Sequence, residues 1–302
     1  MDLPSYSDVL AARDRLAGHA IRTPLLFSPV LSERHGGRIY LKPECLQRTG
    51  SFKFRGGWNA IQALGSTAAN GVVACSSGNH AQGVAEAARL AGIRAVIVMP
   101  SDAPVLKRHR TARSGARVVL YDRTREDRDA IARAIAETER LAFVHPFDDP
   151  HVIAGQGTVG LEIAEDCKAA GITPDVLLVP CSGGGLAAGV ALAVTETFPE
   201  AAVHVAEPAG FDDYGRSLRE GVPRRNTALS GSICDALLAP APGAIGWAMN
   251  SNRLAGGVAG SDAEVRRAVG FAYDELRLVV EPGGAVGLAA LLAGRVLSLI
   301  HI

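Results

Sequence analysis

Lysine is scarce in this sequence. Only Lys42, Lys53, Lys107 and Lys168 stand among 31 basic residues, the remainder being arginine. A guanidinium stays protonated in proteins, whereas a desolvated lysine can lose its proton and attack a carbonyl, so a lysine kept in such a chain points to amine chemistry. Cysteine is also sparse: Cys45, Cys75, Cys167, Cys181 and Cys234 are odd in number and widely spaced. The absence of a Cys-x-x-Cys pair excludes a zinc ribbon or dithiol redox motif and fits reduced thiols in a cytoplasm. Charge imbalance is absent, with a net charge of +0, so no long-range field favours nucleic acid or an anionic membrane. The N-terminus reads as a charged amphipathic helix without an apolar signal core, so secretion is not expected. The most apolar run, VGLAALLAGRVLSLIHI, is broken by Arg295 and is short for a bilayer. No Gly-x-Gly-x-x-Gly or Walker loop occurs, which counts against NAD and ATP chemistry. Internal repeats and low-complexity linkers are lacking too. Function is left to a local pocket.

What is present is an alternation of strands and helices over 302 residues, 48% of them hydrophobic. Arg38 to Glu44 reads as a short strand delivering the chain to the loop that carries Lys53, and Phe54 to Leu64 has helical spacing. Between about Asn70 and Pro146, strands are expected near 71–75, 94–100, 112–120 and 141–144, with helices after the first and over 125–139. A second series follows from near Val152: helix 158–170, strand 175–180, helix 186–197 and strand 203–207. Alternating strands and helices predict parallel sheets covered on both faces, hence an α/β chain of two domains with a cleft between them.

Four stretches carry candidate chemistry. In Thr49-Gly50-Ser51-Phe52-Lys53-Phe54-Arg55-Gly56-Gly57, Lys53 stands at a helix N-terminus, and Phe52 and Phe54 flank it as apolar surroundings that lower its pKa. Ser76-Ser77-Gly78-Asn79-His80 follows a strand and opens a helix, as either a carboxylate site or a plain helix cap. Cys181-Ser182-Gly183-Gly184-Gly185-Leu186 does the same with bare backbone amides, as either a phosphate site or a flexible turn. The acidic segment Ala206 to Asp213 reads as either a site for a hard cation or a solvated loop.

In this order, these motifs resemble the fold-type II pyridoxal-phosphate enzymes, with their tryptophan synthase β-like fold, and most nearly the serine/threonine dehydratases and serine racemases. The resemblance runs from about Thr23 to about Leu292. It implies that Lys53 bonds the cofactor aldehyde and afterwards serves as the catalytic base. Asn79 would meet the ring hydroxyl, and Ser182, Gly183, Gly184, Gly185 and Leu186 the phosphate. Ser76, Ser77, Gly78, Asn79 and His80 would receive the substrate carboxylate, with Ser77 facing the cofactor opposite the lysine, where racemases use a serine as the second acid/base. Arg128 aligns with an arginine that reaches the distal side of the substrate in racemase-like members, a surface salt bridge being the other reading. Glu207, Asp213 and the Phe211 carbonyl match a segment that binds magnesium, calcium or manganese. The family pattern also implies a large cofactor-binding domain of residues 1–65 and 147–302, a small domain of residues 66–146 inserted in it, and a homo-oligomer, in the first place a dimer.

The reaction implied is dehydration and deamination of L-threonine or L-serine to a 2-oxo acid and ammonia. Serine racemase or 3-hydroxyaspartate dehydratase activity is the alternative. Relatives continue past the segment Glu281-Pro282-Gly283-Gly284-Ala285 and its helix to a Ser-Gly-Gly-Asn-like turn whose serine meets the pyridine nitrogen. Here the chain reads Gly294-Arg295-Val296-Leu297-Ser298-Leu299-Ile300-His301-Ile302. That partner is therefore expected to be missing, with Ser298 as its nearest substitute, which opens a further alternative of an inactive binding protein. A β-replacing synthase is disfavoured for want of a second-substrate motif.

Overall fold

The computed structural model describes residues 2–76, 78–103, 105–122 and 124–296. Helix α1 (Tyr6–Leu16) is opened by a capping box between Ser5 and Asp8. An antiparallel ribbon of β1 (Leu26–Phe27) and β2 (Tyr40–Leu41) brackets α2 (Pro29–His35). There follow α3 (Lys53–Leu64), β3 (Val72–Cys75), α4 (Asn79–Ala91), β4 (Ala95–Pro100), α5 (Val105–Arg113), β5 (Arg117–Tyr121), α6 (Arg128–Glu139) and β6 (Ala142–Phe143). These strands form a parallel sheet in the order β5-β4-β3-β6, with Val72 opposite both Ala95 and Ala142. Strands β3 and β4 are buried along their whole length, as unalternating apolar runs in a doubly covered sheet should be.

The second series is α7 (Pro150–Ala169), β7 (Val176–Pro180), α8 (Gly185–Thr197), β8 (Ala202–Pro208), α9 (Asp213–Glu220), α10 (Ala244–Asn250), β9 (Gly256–Gly260), α11 (Asp262–Asp274) and α12 (Pro282–Leu292). Its strands pair in parallel as β7-β8-β9. Among the described residues no helix is long and apolar enough to cross a membrane.

Helix α3 is wedged between α4 and α7. A Cβ on Gly83 of α4 would stand 2.8 Å from the Lys53 carbonyl carbon, and one on Gly155 of α7 would stand 2.7 Å from the Arg55 carbonyl oxygen. Backbone therefore meets backbone on both sides, and interhelix distance is set by the side chains at the contact. Lys53 is seated by this double contact. Behind it Phe54 stacks on Trp58, ring centroids 6.1 Å apart, in a core with Val72, Ile97 and Val152. Burying a phenylalanine side chain of this kind contributes about 1.5–3 kcal/mol.

Some expected boundaries shift for local reasons. The stretch 112–120 divides: α5 runs through Arg113, Gly115 turns with φ 83°, and β5 takes the apolar remainder. Glycine enters that left-handed region at little cost. The expected strand from Arg38 to Glu44 pairs only at Tyr40 and Leu41, since Pro43 has no amide to donate. Helix α7 starts at Pro150, well before Thr158, because Asp149 Oδ1 accepts from the Val152 amide at 2.9 Å and proline suits the first helical position. Asp127 caps α6, which therefore begins at Arg128 and not Arg125.

Candidate active site

Lys53 is the first residue of α3, at the positive end of the helix. Its Nζ donates to the Pro146 carbonyl at 2.6 Å and stands 5.2 Å from the Phe52 ring centre. Among the described residues no carboxylate bonds this amine. Burial pulls its pKa from 10.5 to about 8, with Glu281 opposing only in part. A lysine so placed is partly deprotonated near neutral pH, as a base or nucleophile requires. The expectation for Phe52 holds, but Phe54 turns into the core instead, beneath the Arg48 guanidinium at 5.5 Å. Adjacent helical residues cannot face the same way.

The glycine loop lies between β7 and α8. Gly184 has φ 92°, and a Cβ there would stand 2.4 Å from the Tyr214 hydroxyl. A Cβ on Gly183 would stand 2.2 Å from the Phe147 ring. The loop's carbonyls turn back into the protein: that of Gly183 accepts from the Gly243 amide at 3.0 Å, and that of Gly184 from Asn250 Nδ2 at 3.2 Å. Ser182 Oγ accepts from the Ala239 amide at 3.1 Å. The amides of Gly183, Gly185 and Leu186 find no acceptor among the described residues. Free amides at a helix N-terminus make an anion site.

In the turn after β3, Ser77 lies outside the described residues. Ser76 Oγ accepts from the Gly78 amide at 3.1 Å. Asn79 opens α4, and its Nδ2 donates to Glu281 Oε1 at 2.5 Å. Glu281 precedes α12; burial raises its pKa while the Asn79 bond lowers it. His80 is buried, its Nε2 meets the Val144 carbonyl at 3.1 Å, and its Nδ1 has no partner. Burial, with Lys53 nearby, brings its pKa down to about 3, so the ring is neutral and Nε2 donates. Lys107, paired with Asp235, closes over the turn, 3.3 Å from where a Gly78 Cβ would be. Arg128 opens α6 with its Nε 3.7 Å from Asp129, whose Oδ1 accepts from the Cys75 thiol at the end of β3 at 2.9 Å. Arg128 is thus at the same sheet end as the turn, half-exposed.

Residues 144–148 tie these parts together, and sequence reasoning assigned them no role. Val144 meets His80, Pro146 accepts from Lys53, and Phe147 packs on Gly183 and Gly185. Asp148 accepts the amides of Ala244 at 3.0 Å and Ile245 at 2.7 Å. The signal available was His-Pro-Phe-Asp-Asp directly after a strand.

Glu207 and Asp213 are both buried. Glu207 accepts from the amides of Tyr214 at 3.0 Å and Gly215 at 2.8 Å, and burial with the neighbouring Asp213 carries its pKa well up. Asp213 Oδ1 accepts from Asn226 Nδ2 at 2.6 Å, but Oδ2 is buried without a partner, and burial raises its pKa to about 6. No described donor takes the Phe211 carbonyl. Among the described residues no group of three or more His, Cys, Asp or Glu could hold a metal, so any cation here would rest on two carboxylates and a carbonyl.

The pyridoxal phosphate implied by the motifs finds matching chemistry: an amine with no carboxylate partner and loop amides with no acceptor among the described residues, for an aldehyde and a phosphate, and a side-chain amide at Asn79. The family model of pyridoxal-phosphate dependent enzymes matches residues 16–298. An L-threo-3-hydroxyaspartate ammonia-lyase of Pseudomonas sp is 41% identical over 293 residues, 96% of this chain and 90% of that protein. An L-threonine ammonia-lyase of Thermotoga maritima is 42% identical over 289 residues, 95% of this chain and 71% of that one. The structure of maize serine racemase superposes with a TM-score of 0.93 at 34% identity, covering 100% of this chain and 92% of the maize chain.

Proposed function

We propose that this chain, which belongs to the pyridoxal-phosphate dependent enzyme family, removes water and ammonia from a small β-hydroxy amino acid, L-threonine or L-serine, to leave a 2-oxo acid. The observation that carries this reading is Lys53, an amine with a pKa of about 8 that donates to Pro146, whose neighbour Phe147 packs on the glycine loop. Bound there, the cofactor supplies an aldehyde and a sink for charge developing at Cα. Lys53 would hold that aldehyde through its amine and, partly deprotonated near neutral pH, would serve as the base for the Cα proton. The amides of Ser182, Gly183, Gly184, Gly185 and Leu186 would hold the phosphate, and Asn79, fixed by Glu281, would meet the ring hydroxyl. The turn of Ser76, Ser77, Gly78, Asn79 and His80 receives the substrate carboxylate. By its match to the family motif, Ser77, which lies outside the described residues, would serve as a second acid/base, and Arg128 would approach the distal side.

Glu207, Asp213 and the Phe211 carbonyl would hold magnesium, calcium or manganese; the unpartnered Oδ2 of Asp213 supports this. We read residues 66–146 as a small domain inserted into a body of residues 1–65 and 147–302, and the molecule as a cytoplasmic homodimer. Racemisation of serine, or deamination of 3-hydroxyaspartate, is the second reading, favoured by likeness to enzymes of those names. The retained set of Lys53, Asn79 and Gly183 to Gly185 argues against an inactive fold.

The test is the visible absorption spectrum of the chain with pyridoxal phosphate, repeated with L-serine, L-threonine and L-threo-3-hydroxyaspartate. A yellow species that one of them alters, with 2-oxo acid released, supports the reading and names the substrate. A protein that stays colourless sinks it, and D-serine formed without 2-oxo acid transfers the assignment to racemase.

A further inference from the structure

One imidazole keeps residues 144–148 in shape. His145 Nδ1 accepts from two amides of its own turn, Asp148 N at 2.8 Å and Phe147 N at 3.4 Å. An accepting Nδ1 means a neutral ring with its proton on Nε2. The ring also stands edge-on to Phe147, centroids 4.8 Å apart, and to Phe143 at 6.0 Å. The turn so closed presents the Pro146 carbonyl to Lys53 Nζ and the Phe147 ring to Gly183 and Gly185. Asp148, at the far end, binds the start of α10, and Gly243 just before that helix donates back to the Gly183 carbonyl. Lysine amine and glycine loop are therefore joined through a single turn whose closure depends on one acceptor.

We propose that His145, neutral and accepting at Nδ1, is a positioning residue that sets the Lys53 amine against the glycine loop, and that protonation of its ring releases the setting. A protonated imidazole carries N–H at both nitrogens, so Nδ1 would confront two donors and the turn must open. The charged and titratable groups around the ring are Asp129 and Arg128 of α6, Asp148 of its own turn, Lys53 of α3 and His80 of α4. Burial, with Arg128 and Lys53, outweighs the two carboxylates, so the ring's pKa is lowered from 6.5. A base with a lowered folded pKa contributes its full stability above its unfolded pKa and loses it as pH falls through the folded one. The release belongs to mild acid. The geometry and the Lys53 titration stand without the cofactor; only the consequence for cofactor binding rests on the function proposed above.

The experiment compares wild type, His145→Asn and His145→Leu. Asparagine offers an acceptor near the place of Nδ1 and does not titrate; leucine offers none. In the cofactor-free full-length chain, the four lysines are acetylated with acetic anhydride across pH and read peptide by peptide by mass spectrometry, with Lys168 as reference. Wild type and His145→Asn should give Lys53 a midpoint near 8. In His145→Leu the midpoint should climb toward 10.5 by a unit or more as water reaches the amine, about a tenfold loss of reactive amine at neutral pH. Pyridoxal-phosphate affinity, read by absorbance, should fall more steeply with wild type than with His145→Asn as pH drops to the acid side of 6.5. A folded His145→Leu protein with an unmoved Lys53 midpoint overturns the proposal. So does a His145→Asn protein that behaves like leucine. Should His145→Leu not fold, the acid limb of wild type against His145→Asn decides. Failure of every variant to bind cofactor at any pH would count against the proposed function, while the Lys53 midpoints would still test this inference.

Discussion

Lys53 and Arg55 share one turn of α3 and are both withdrawn from solvent, yet the fold treats them oppositely. Arg55 has its Nε 2.8 Å from Glu44 Oε2, its Nη1 2.6 Å from Glu162 Oε1, and a further donation to Thr158. Lys42 joins the same group, 2.6 Å from Glu162 Oε2. Burial works to lower the Arg55 pKa, but Glu44 and Glu162 raise it further than burial lowers it. Lys53 has a carbonyl, an aromatic face and, among the described residues, no carboxylate in bonding distance, and burial prevails. Charges compensated in pairs anchor α3; the charge left uncompensated at its tip is available for chemistry. The same contrast separates Glu44 and Glu162, matched by cations, from Glu207 and Asp213, which have none in bonding distance among the described residues.

Breaking the comparison at its reactive end has the largest effect. Lys53→Ala should lower turnover by at least about 10³-fold with the fold intact by circular dichroism; a variant with half the wild-type rate would remove Lys53 from the mechanism. At the structural end, Arg55→Met leaves Glu44 without its cation and Glu162 with Lys42 alone, and should cost about 3–5 kcal/mol in urea denaturation. A loss below about 1 kcal/mol would place this network among weak surface pairs.

Lys53→Met sharpens the contrast, since it removes a buried charge and should stabilise. The folded pKa of about 8 lies below the ordinary 10.5, so the unfolded chain binds the extra proton and the penalty is complete below pH 8. The gain at pH 7 should approach about 3 kcal/mol and fade as pH rises to 10.5. An unchanged or lowered melting temperature at pH 7 would contradict an uncompensated amine. The smallest expected effect concerns the acidic pair. A cation at a hundredfold excess over its Kd should stabilise by about 2.7 kcal/mol, a gain that EDTA removes from wild type and that Asp213→Asn never shows. Identical melting curves with and without EDTA would leave the two carboxylates without a metal.

How far the site was readable depends on sequence distance. Lys53, the turn from Ser76 to His80 and the glycine loop were legible because each is a local pattern after a strand or at a helix start, where the need for an amine, a cap or a bare backbone dictates residue type. The bond from Asn79 to Glu281 spans 202 positions, and that from Lys53 to Pro146 spans 93. Nothing at either end announces the other. Phe54 was misread for a related reason: its apolar character says that it will be buried, not on which side of the helix the core lies.

By itself the sequence determined an α/β chain, the placing of one reactive lysine at a helix N-terminus and of one glycine loop at another, and through those motifs the family. These follow from hydrophobic period, turn chemistry and residue identity, which act over a few neighbours. Only the tertiary structure decided that Arg55 is neutralised while Lys53 is not, that Glu281 orients Asn79, and that His145 shapes the turn joining amine to loop. A pKa, an orphaned carboxylate oxygen and a fixed tautomer are set by which groups from distant parts of the chain exclude water together.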